Sequence, residues 1–307
     1  MKLAVPDLVS NSYFPAIVAT ELGFFKEEGL NVSLERISPV EKAYAALRDG
    51  AVDFVAGSAH SALAAFPDWV GVKLLCAQAQ GMYWFLVMHA DIGAQRGDLG
   101  CVKGRSIGAA PWVGMGLRQL LVEGGIDIVL DRVRIAPVPG AVGTTINFGL
   151  TVVQALADRK IDGFWANGMA AEVAVRRGIG TLVLDVRRGD GPPACFNYTM
   201  ASLAATERFL AQDRSRAGAA VRAIAKTHAA LRANIALATQ VGHRLFPPAE
   251  AELITELIRR DLPYYDTAIS PAFVADMSRF ARDLGILSRD VGYEQVVASP
   301  IVFDPEA

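Results

Sequence analysis

Residues 14–32 read FPAIVATELGFFKEEGLNV and decide the fold. The first half carries apolar residues such as Ile17 at the spacing of one buried helix face. Gly29 permits the left-handed backbone that lets residues 30–34 re-enter as a strand. Because residues 2–5 also have strand character, the segment predicts two parallel strands joined by a helical crossover. Small ligands usually bind at the carboxyl edge of such a sheet, where the helix begins.

Length and composition predict a globular protein with two lobes. The chain has 307 residues, which is too long for one ordinary core. Its hydrophobic content of 52% is typical of a well-buried protein and not of a disordered one. The net charge of -2 offers no basic surface for nucleic acid, so we exclude that partner.

The cysteines and the apolar runs predict buried thiols and no membrane span. Cys76, Cys101 and Cys195 lack metal-ligand spacing, and an odd number cannot form a complete set of disulfides. No apolar run reaches membrane-spanning length. No basic, apolar leader precedes Lys2, which leaves two locations open. We expect a periplasmic or extracellular protein if an export signal was trimmed and replaced by Met1, and a cytoplasmic one otherwise.

The second half of the chain repeats the plan of the first. Residues 45–54, AALRDGAVDF, and residues 154–164, QALADRKIDGF, each combine a helix end, a charged turn and a strand start. This similarity predicts two lobes built on one plan. The polar stretch 91–103 is predicted to cross between the lobes, and residues 195–203 are predicted to form the returning strand.

These segments define the predicted domains. Lobe I comprises residues 1–90 and 197–307 and includes the C-terminal helices, and lobe II comprises residues 91–196. Asn11, Ser12 and Ser38 are predicted helix caps, and residues 62–66 are predicted to form a helix.

The motif of residues 15–32 resembles a known family. The pattern Pro-x-x-x-Ala-x-x-x-Gly-Phe-Phe-x-x-x-Gly-Leu-x-Val is similar to the signature of solute-binding proteins of ABC importers for the nitrate, sulfonate and taurine class. Residues 50–54 and 160–164 resemble two recurrent strand starts of that family, and the likeness runs from Lys2 to about Leu237. It implies a type II periplasmic-binding-protein fold: two α/β lobes, two crossing strands and a ligand cleft between the lobes.

A sister group with this fold is the yeast-type thiamine-pyrimidine synthase, which consumes its own histidine. The segment around His60 resembles the one that carries this histidine, one place out of register. Cys195 is the one cysteine kept from that group's cysteine-rich run, and Gly57 stands where the cofactor lysine would lie. Without that amine no Schiff base to pyridoxal phosphate can form. We therefore predict no cofactor, no metal and no catalytic residues.

The candidate site consists of loops at predicted helix starts, where free N–H groups and the helix dipole favour acceptors or anions. A Ser or Asn there is as often a cap without ligand contact. Trp112 is the favoured aromatic contact, because a core indole would need a partner for its N–H. The predicted ligand-binding residues are Asn11, Ser12, Tyr13, Phe14, Ser38, Ser58, His60, Ser61, Tyr83, Trp84, Trp112, Val113, Gly143, Thr144, Trp165, Asn167 and Phe196.

The residue types of these loops favour a flat organic solute, either an aromatic carboxylate or a heterocycle. The loops contain no Arg or Lys, which argues against a small hard anion, although backbone N–H groups alone can hold one.

Three functions are compatible with the sequence. The first is a monomeric, non-catalytic receptor that closes by hinges near residues 88–91 and 195–198 and delivers its solute to an ABC permease. The second is a small-molecule enzyme that uses His60 as base or reactant and Cys195 as nucleophile. The third is a cytoplasmic sensor that docks to a partner.

Overall fold

A computed structural model describes residues 1–138 and 147–298. Within them ten strands form two sheets of five strands each. The strands are β1 (Lys2–Val5), β2 (Ser33–Arg36), β3 (Phe54–Ser58), β4 (Val72–Ala79), β5 (Phe85–His89), β6 (Ser106–Gly108), β7 (Arg134–Ala136), β8 (Gly163–Ala166), β9 (Gly180–Asp185) and β10 (Ala201–Thr206). The strand orders are β2-β1-β3-β10-β4 and β7-β6-β8-β5-β9.

Both sheets share one plan of three parallel strands and two further strands. β1 pairs in parallel with β2 and β3, and β10 lies antiparallel between β3 and β4. In the second sheet β6 pairs in parallel with β7 and β8, and β5 lies antiparallel between β8 and β9. The predicted architecture of two α/β lobes with two crossing strands is confirmed.

Helices cover the sheets and form the C-terminal region. They are α1 (Phe14–Glu21), α2 (Phe24–Glu27), α3 (Val40–Arg48), α4 (Pro111–Glu123), α5 (Phe148–Ala157), α6 (Gly168–Arg176), α7 (Glu207–Gln212), α8 (Arg214–Ala233), α9 (Leu237–Leu245), α10 (Pro248–Asp261), α11 (Pro271–Asp283) and α12 (Tyr293–Val296). α8 packs on α1 and β4 of the first lobe, whereas α10 contacts both α9 and α6. The C-terminal helices therefore touch the second lobe as well.

The crossings between the lobes differ from the prediction. β5 belongs to the second sheet, so the chain changes lobe within residues 80–84 and not within the polar stretch 91–103. That stretch is polar because it lies on the surface of the second lobe. The return passes through a 3-10 helix at Pro193–Asn197, and the returning strand begins only at Ala201. The domain boundaries at 90/91 and 196/197 stay a prediction. The pairing of β5 with β8 and β9 places residues 85–89 in the second lobe.

The two crossing segments pack against each other. Gly81 has a φ of +74°, and a Cβ on it would lie 2.4 Å from Cε2 of Phe196. A glycine is therefore required at this position, both for its backbone and for the approach of the ring.

Local predictions near the N-terminus need correction. α1 and α3 begin after Tyr13 and Pro39, and neither receives a hydrogen bond from a capping side chain, so the predicted caps are wrong. The predicted helix at 62–66 is a 3-10 helix at Ala59–Ala64. β2 starts three residues later than predicted, because the Leu30 N–H donates to the Phe25 carbonyl and closes a turn first.

The three cysteines are free thiols, as the sequence predicts. Cys76 and Cys195 are buried, Cys101 is half-buried, and all three are free. Across residues 1–138 and 147–298, no helix combines the length and apolarity needed to cross a membrane. The same residues contain no cluster of His, Cys, Asp and Glu suited to a metal ion.

Candidate functional site

A cavity lies between the two lobes, at the edge where the parallel strands end. It holds about 660 Å³ of empty space, part of which is open to solvent. Residues of both lobes form its wall: Pro6, Asp7, Ser10, Ser12, Tyr13, Ser38, Pro39, Val40, Trp84, Ala110, Pro111, Val113, Phe148, Ala166 and Asn167. None of these described lining residues is Lys, Arg or His.

Five helices of the described chain begin at this cavity. α1 and α3 come from the first lobe, and α4, α5 and α6 come from the second. They have between eight and thirteen residues, long enough for each N-terminus to carry a partial positive charge. Side-chain oxygens already accept some of the first N–H groups of α1, α5 and α6. The cavity is therefore suited to hydrogen-bond acceptors even though the described part of its wall has no basic side chain.

A buried carboxylate already occupies part of this wall. Asp7 follows β1 and is 8% exposed. Its Oδ1 accepts hydrogen bonds from the Val9 N–H at 3.1 Å and from the Asn147 amide, and its Oδ2 accepts one from the Asn167 amide at 3.0 Å. Because both asparagines belong to the second lobe, Asp7 links the two lobes at the cavity.

The positions of these asparagines fix the direction of their amides. The Asn147 Oδ1 accepts from the Leu150 N–H and caps α5, and the Asn167 Oδ1 accepts from the Ala170 N–H and caps α6. With the oxygens turned towards the helices, the NH₂ groups point to Asp7.

The environment of Asp7 holds its proton more tightly than water would. Burial raises the pKa of the Asp7 carboxyl to about 7, and the hydrogen bond from Val9, that from Asn147 and the charge of Arg36 oppose this rise. Asp7 therefore changes charge near neutral pH.

Two further polar side chains of the first lobe line the cavity before α1. The Ser12 Oγ is buried and has no hydrogen-bond partner among the residues that the structure describes. The Tyr13 hydroxyl lies 3.0 Å from the Tyr83 hydroxyl. Burial raises the pKa of Tyr13 above its ordinary value, so the phenol stays neutral and can donate or accept.

An aromatic cluster with a histidine lies behind the cavity wall. His60 is fully buried, and its Nε2–H donates to the Trp112 carbonyl at 3.1 Å across the lobes. The ring lies 6.0 Å from Trp84, 5.8 Å from Trp112 and 5.5 Å from Phe280, between centroids. Burial lowers the pKa of His60 to about 4, so the imidazole is neutral at ordinary pH. His60 holds the lobes together and does not line the cavity.

Comparison with known proteins identifies the family. A family model described as NMT1/THI5 like matches residues 10–234, which is more than half of the chain. The chain belongs to the NMT1/THI5-like family. The resemblance read from residues 15–32 is thereby confirmed. No curated protein matches the sequence.

Solved structures similar to this NMT1/THI5-like protein share its fold at low identity. A protein from Bordetella bronchiseptica RB50 is 18% identical with a TM-score of 0.75, over 98% of this chain and 94% of the other. The putative periplasmic sulfonate-binding protein SsuA of Methylobacillus flagellatus KT is 14% identical with a TM-score of 0.68, over 98% and 92%. The periplasmic nitrate-binding protein NrtA of Synechocystis PCC 6803 is 13% identical with a TM-score of 0.71, over 96% and 83%. The periplasmic-binding-protein fold is therefore confirmed.

The structure of this NMT1/THI5-like protein brings six of the predicted site residues to the cavity. They are Ser12, Tyr13, Ser38, Trp84, Val113 and Asn167. Gly143 and Thr144 lie outside the described residues. Trp112 contacts His60 instead of lining the cavity, and its backbone carbonyl is the group that His60 binds.

The other predicted residues have partners elsewhere. Asn11 donates to the Asp261 carboxylate at 2.7 Å and accepts from the Met169 N–H at 3.2 Å, which makes it a second link between the lobes. Ser58 and Ser61 pair through their hydroxyls at 2.5 Å. The Trp165 Nε1–H donates to the Val113 carbonyl at 3.1 Å.

Three aromatic residues predicted for the site pack within the protein. Phe14 lies against Phe246, Phe196 against Tyr264, and Tyr83 behind Tyr13.

Several wall residues are absent from the predicted site, and Asp7 is the most important of them. The sequence contained a signal for it, because Asp7 comes two residues after a predicted parallel strand, at the edge where ligands bind. Four other wall residues likewise lie next to strand ends or helix starts: Pro6, Ser10, Pro39 and Phe148.

Proposed function

We propose that this NMT1/THI5-like protein is a non-catalytic solute receptor that delivers a small planar organic solute to an ABC permease. The observation that carries the proposal is the cavity between the lobes, where five helix N-termini, Ser12 and the Trp84 ring face one space. Such concave sites with a few convergent polar groups are typical of small-molecule binding. Two crossing segments join the lobes, which suits hinge closure over a ligand.

The wall of the cavity supports a planar solute over a small inorganic anion. Trp84, Tyr13 and Phe148 supply rings, and the described wall has no basic side chain to neutralise nitrate or a sulfonate. Of the two classes that the sequence favours, the wall supports a heterocycle better than an aromatic carboxylate, because Asp7 places a carboxylate there already.

The enzyme hypothesis has less support. His60 does not line the cavity, and its Nε2–H is engaged by Trp112. Burial raises the pKa of the Cys195 thiol to about 12, so little of the nucleophilic thiolate forms near neutral pH. We therefore assign no catalytic residue and propose a monomer that works in the periplasm or outside the cell.

Native mass spectrometry of the purified protein, followed by thermal unfolding with and without the released molecule, tests this function. We expect an unmodified solute to co-purify and to raise the melting temperature by several degrees, because it binds the folded state alone. Continuous turnover of that solute into a product would contradict the proposal.

A matched pair of variants locates the solute. Val113 lines the cavity on α4, whereas Val122 on the same helix is 53% exposed. We expect Val113→Trp to fill the cavity and abolish the thermal shift, and Val122→Trp to preserve it. Equal shifts in both variants would place the solute outside this cavity.

A further inference from the structure

Among the described residues of the wall of the proposed solute cavity, Asp7 is the one whose charge can discriminate between solutes. We propose that the Asp7 carboxylate selects the solute by accepting a hydrogen bond from its N–H group and by excluding solutes that present an anion. The inference rests on the proposed function and adds the class of solute: a planar molecule with an amidine, amine or amide donor.

The hydrogen bonds of Asp7 leave room for one more donor. An ionised carboxylate has about four acceptor positions on its two oxygens. Oδ1 uses two of them for Val9 and Asn147, and Oδ2 uses one for Asn167. In the described part of the chain, about one acceptor position on Oδ2 thus remains for a ligand.

The neighbouring amides cannot take over the role of acceptor. The oxygens of Asn147 and Asn167 already cap α5 and α6. Asp7 is therefore the carboxylate acceptor of the described wall, held in place by donors from both its own loop and the opposite lobe.

The charges around the cavity favour the same class of solute. The Asp7 carboxylate lies beside the N-cap residues of α5 and α6, so it already complements the partial positive charge of these two helix starts. A second anion in the cavity would meet the charge of Asp7, and none of the described lining residues is basic and could offset it. A cationic or neutral N–H donor meets no such repulsion.

Ser12 gives a second, independent indication of a polar ligand. Its Oγ is buried in the same wall, and the residues described around it offer no hydrogen-bond partner. Of the five described hydroxyls that are buried without a partner, only that of Ser12 belongs to the cavity wall. A ligand that reaches both Ser12 and Asp7 would satisfy it.

The selection depends on pH because Asp7 titrates near neutrality. Burial raises its pKa to about 7 against the hydrogen bonds that it accepts and the charge of Arg36 on β2. On the side of α1 the titratable neighbour is the neutral Tyr13 phenol, and on the sides of α5 and α6 the uncharged amides face it. Solutes with N–H donors should therefore bind more tightly as pH rises through about 7, and anionic solutes less tightly.

Calorimetry with solutes of equal shape and different charge tests the inference. Benzamidine, benzamide and benzoate form one such series, and the corresponding pyridine-3-substituted compounds form a second. At about pH 8 we expect affinity to fall from amidine to amide to carboxylate, with on the order of 10- to 100-fold between the ends of each series. Lowering the pH to about 5.5 should weaken amidine binding by about 10-fold or more.

Two variants separate solute selection from a merely structural link between the lobes. Asp7→Asn removes the charge, and we expect the affinity ratio of amidine to carboxylate to fall to about one. Asn147→Ser keeps an oxygen for the cap of α5 but removes the amide that reaches Asp7, and this hydrogen bond lowers the pKa of Asp7. The ratio should therefore change at a higher pH than in the wild-type protein and persist above that pH. A ratio that stays the same in Asp7→Asn would reduce Asp7 to a structural link and overturn the inference.

The outcomes also distinguish this inference from the proposed function. If carboxylates or sulfonates bind more tightly than amidines to the wild-type protein, the selection by Asp7 is wrong and the solute receptor stands. If no member of either series, no nitrate and no alkanesulfonate binds, both proposals fail. Circular dichroism of each variant confirms that the compared proteins are folded.

Discussion

The two most deeply buried histidines, His60 and His228, should make the protein lose stability in mild acid, and His60 is the sharper case. Its pKa falls from an ordinary 6.5 to about 4 in the folded protein because the ring is buried. Above pH 6.5 both folded and unfolded chains carry a neutral ring, and the stability is fully present. As the pH falls from 6.5 towards 4, the unfolded chain takes up a proton first, and the free energy of unfolding decreases.

The size of this loss follows from the pKa difference. One pKa unit corresponds to about 1.4 kcal/mol, so at about pH 4.5 His60 should lower the free energy of unfolding by about 2.5 kcal/mol relative to neutral pH. His228 is also buried, donates to the Gln78 carbonyl at 2.9 Å and has a pKa lowered to about 4, so it should contribute a similar amount. Asp7 acts in the opposite direction over this range, because its folded pKa is raised.

Urea unfolding of variants at about pH 7.5 and pH 4.5 isolates the contribution of His60 from that of the other titratable groups. His60→Gln does not titrate and places an amide N–H where it can reach the Trp112 carbonyl. We expect its stability relative to wild type to improve by about 2.5 kcal/mol between the two pH values. His243→Gln, on the half-exposed surface of α9, measures the effect of removing a surface histidine. If the stability of His60→Gln follows that of wild type in parallel, the account of a neutral, buried His60 is wrong.

Two further predictions concern the cavity and the crossing segments. Ser12→Ala should weaken solute binding by about 5- to 10-fold with almost no change in stability, because the Oγ has no partner within the described structure. Ser278→Ala, at another buried hydroxyl without a partner there, is the control, and equal calorimetric affinities for the two variants would contradict the role of Ser12. Gly81→Ala should lower the free energy of unfolding by about 2–4 kcal/mol, because the methyl meets the Phe196 ring and the φ is positive. Gly285→Ala has a similar φ but open space around it and should cost only about 1 kcal/mol in the same urea experiment.

The fold could be predicted from the sequence because its signals are local and repeated. β1 occupies the four residues expected, and Gly29 adopts the predicted left-handed conformation. The predicted position of the lobe crossing is wrong because polar residues are typical both of a linker and of the surface of a lobe. Residues 91–103 are polar for the second reason. β9 was not predicted, since pairing with the distant β5 defines it.

The site could be predicted only in part, because contacts between the lobes decide which side chains remain available. Ser12 and Asn167 reach the cavity as expected from their places before helices. His60 and Asn11 have similar places, but partners on the opposite lobe engage them. Asp7 is absent from the predicted site because the prediction rests on helix starts, whereas Asp7 follows the end of a strand.

The first sheet contains β10 from the second half of the chain, and the second sheet contains β5 from the first half. This arrangement constrains the order in which the sheets can fold during translation. β10 fills the gap between β3 and β4, so the first sheet stays incomplete until residue 206 has left the ribosome. During that interval the backbone groups of β3 and β4 that face the gap lack their final partner, which exposes them to pairing with other chains. The second sheet needs no strand beyond β9, so we expect it to assemble first during translation and to serve as the platform on which the N-terminal half is completed.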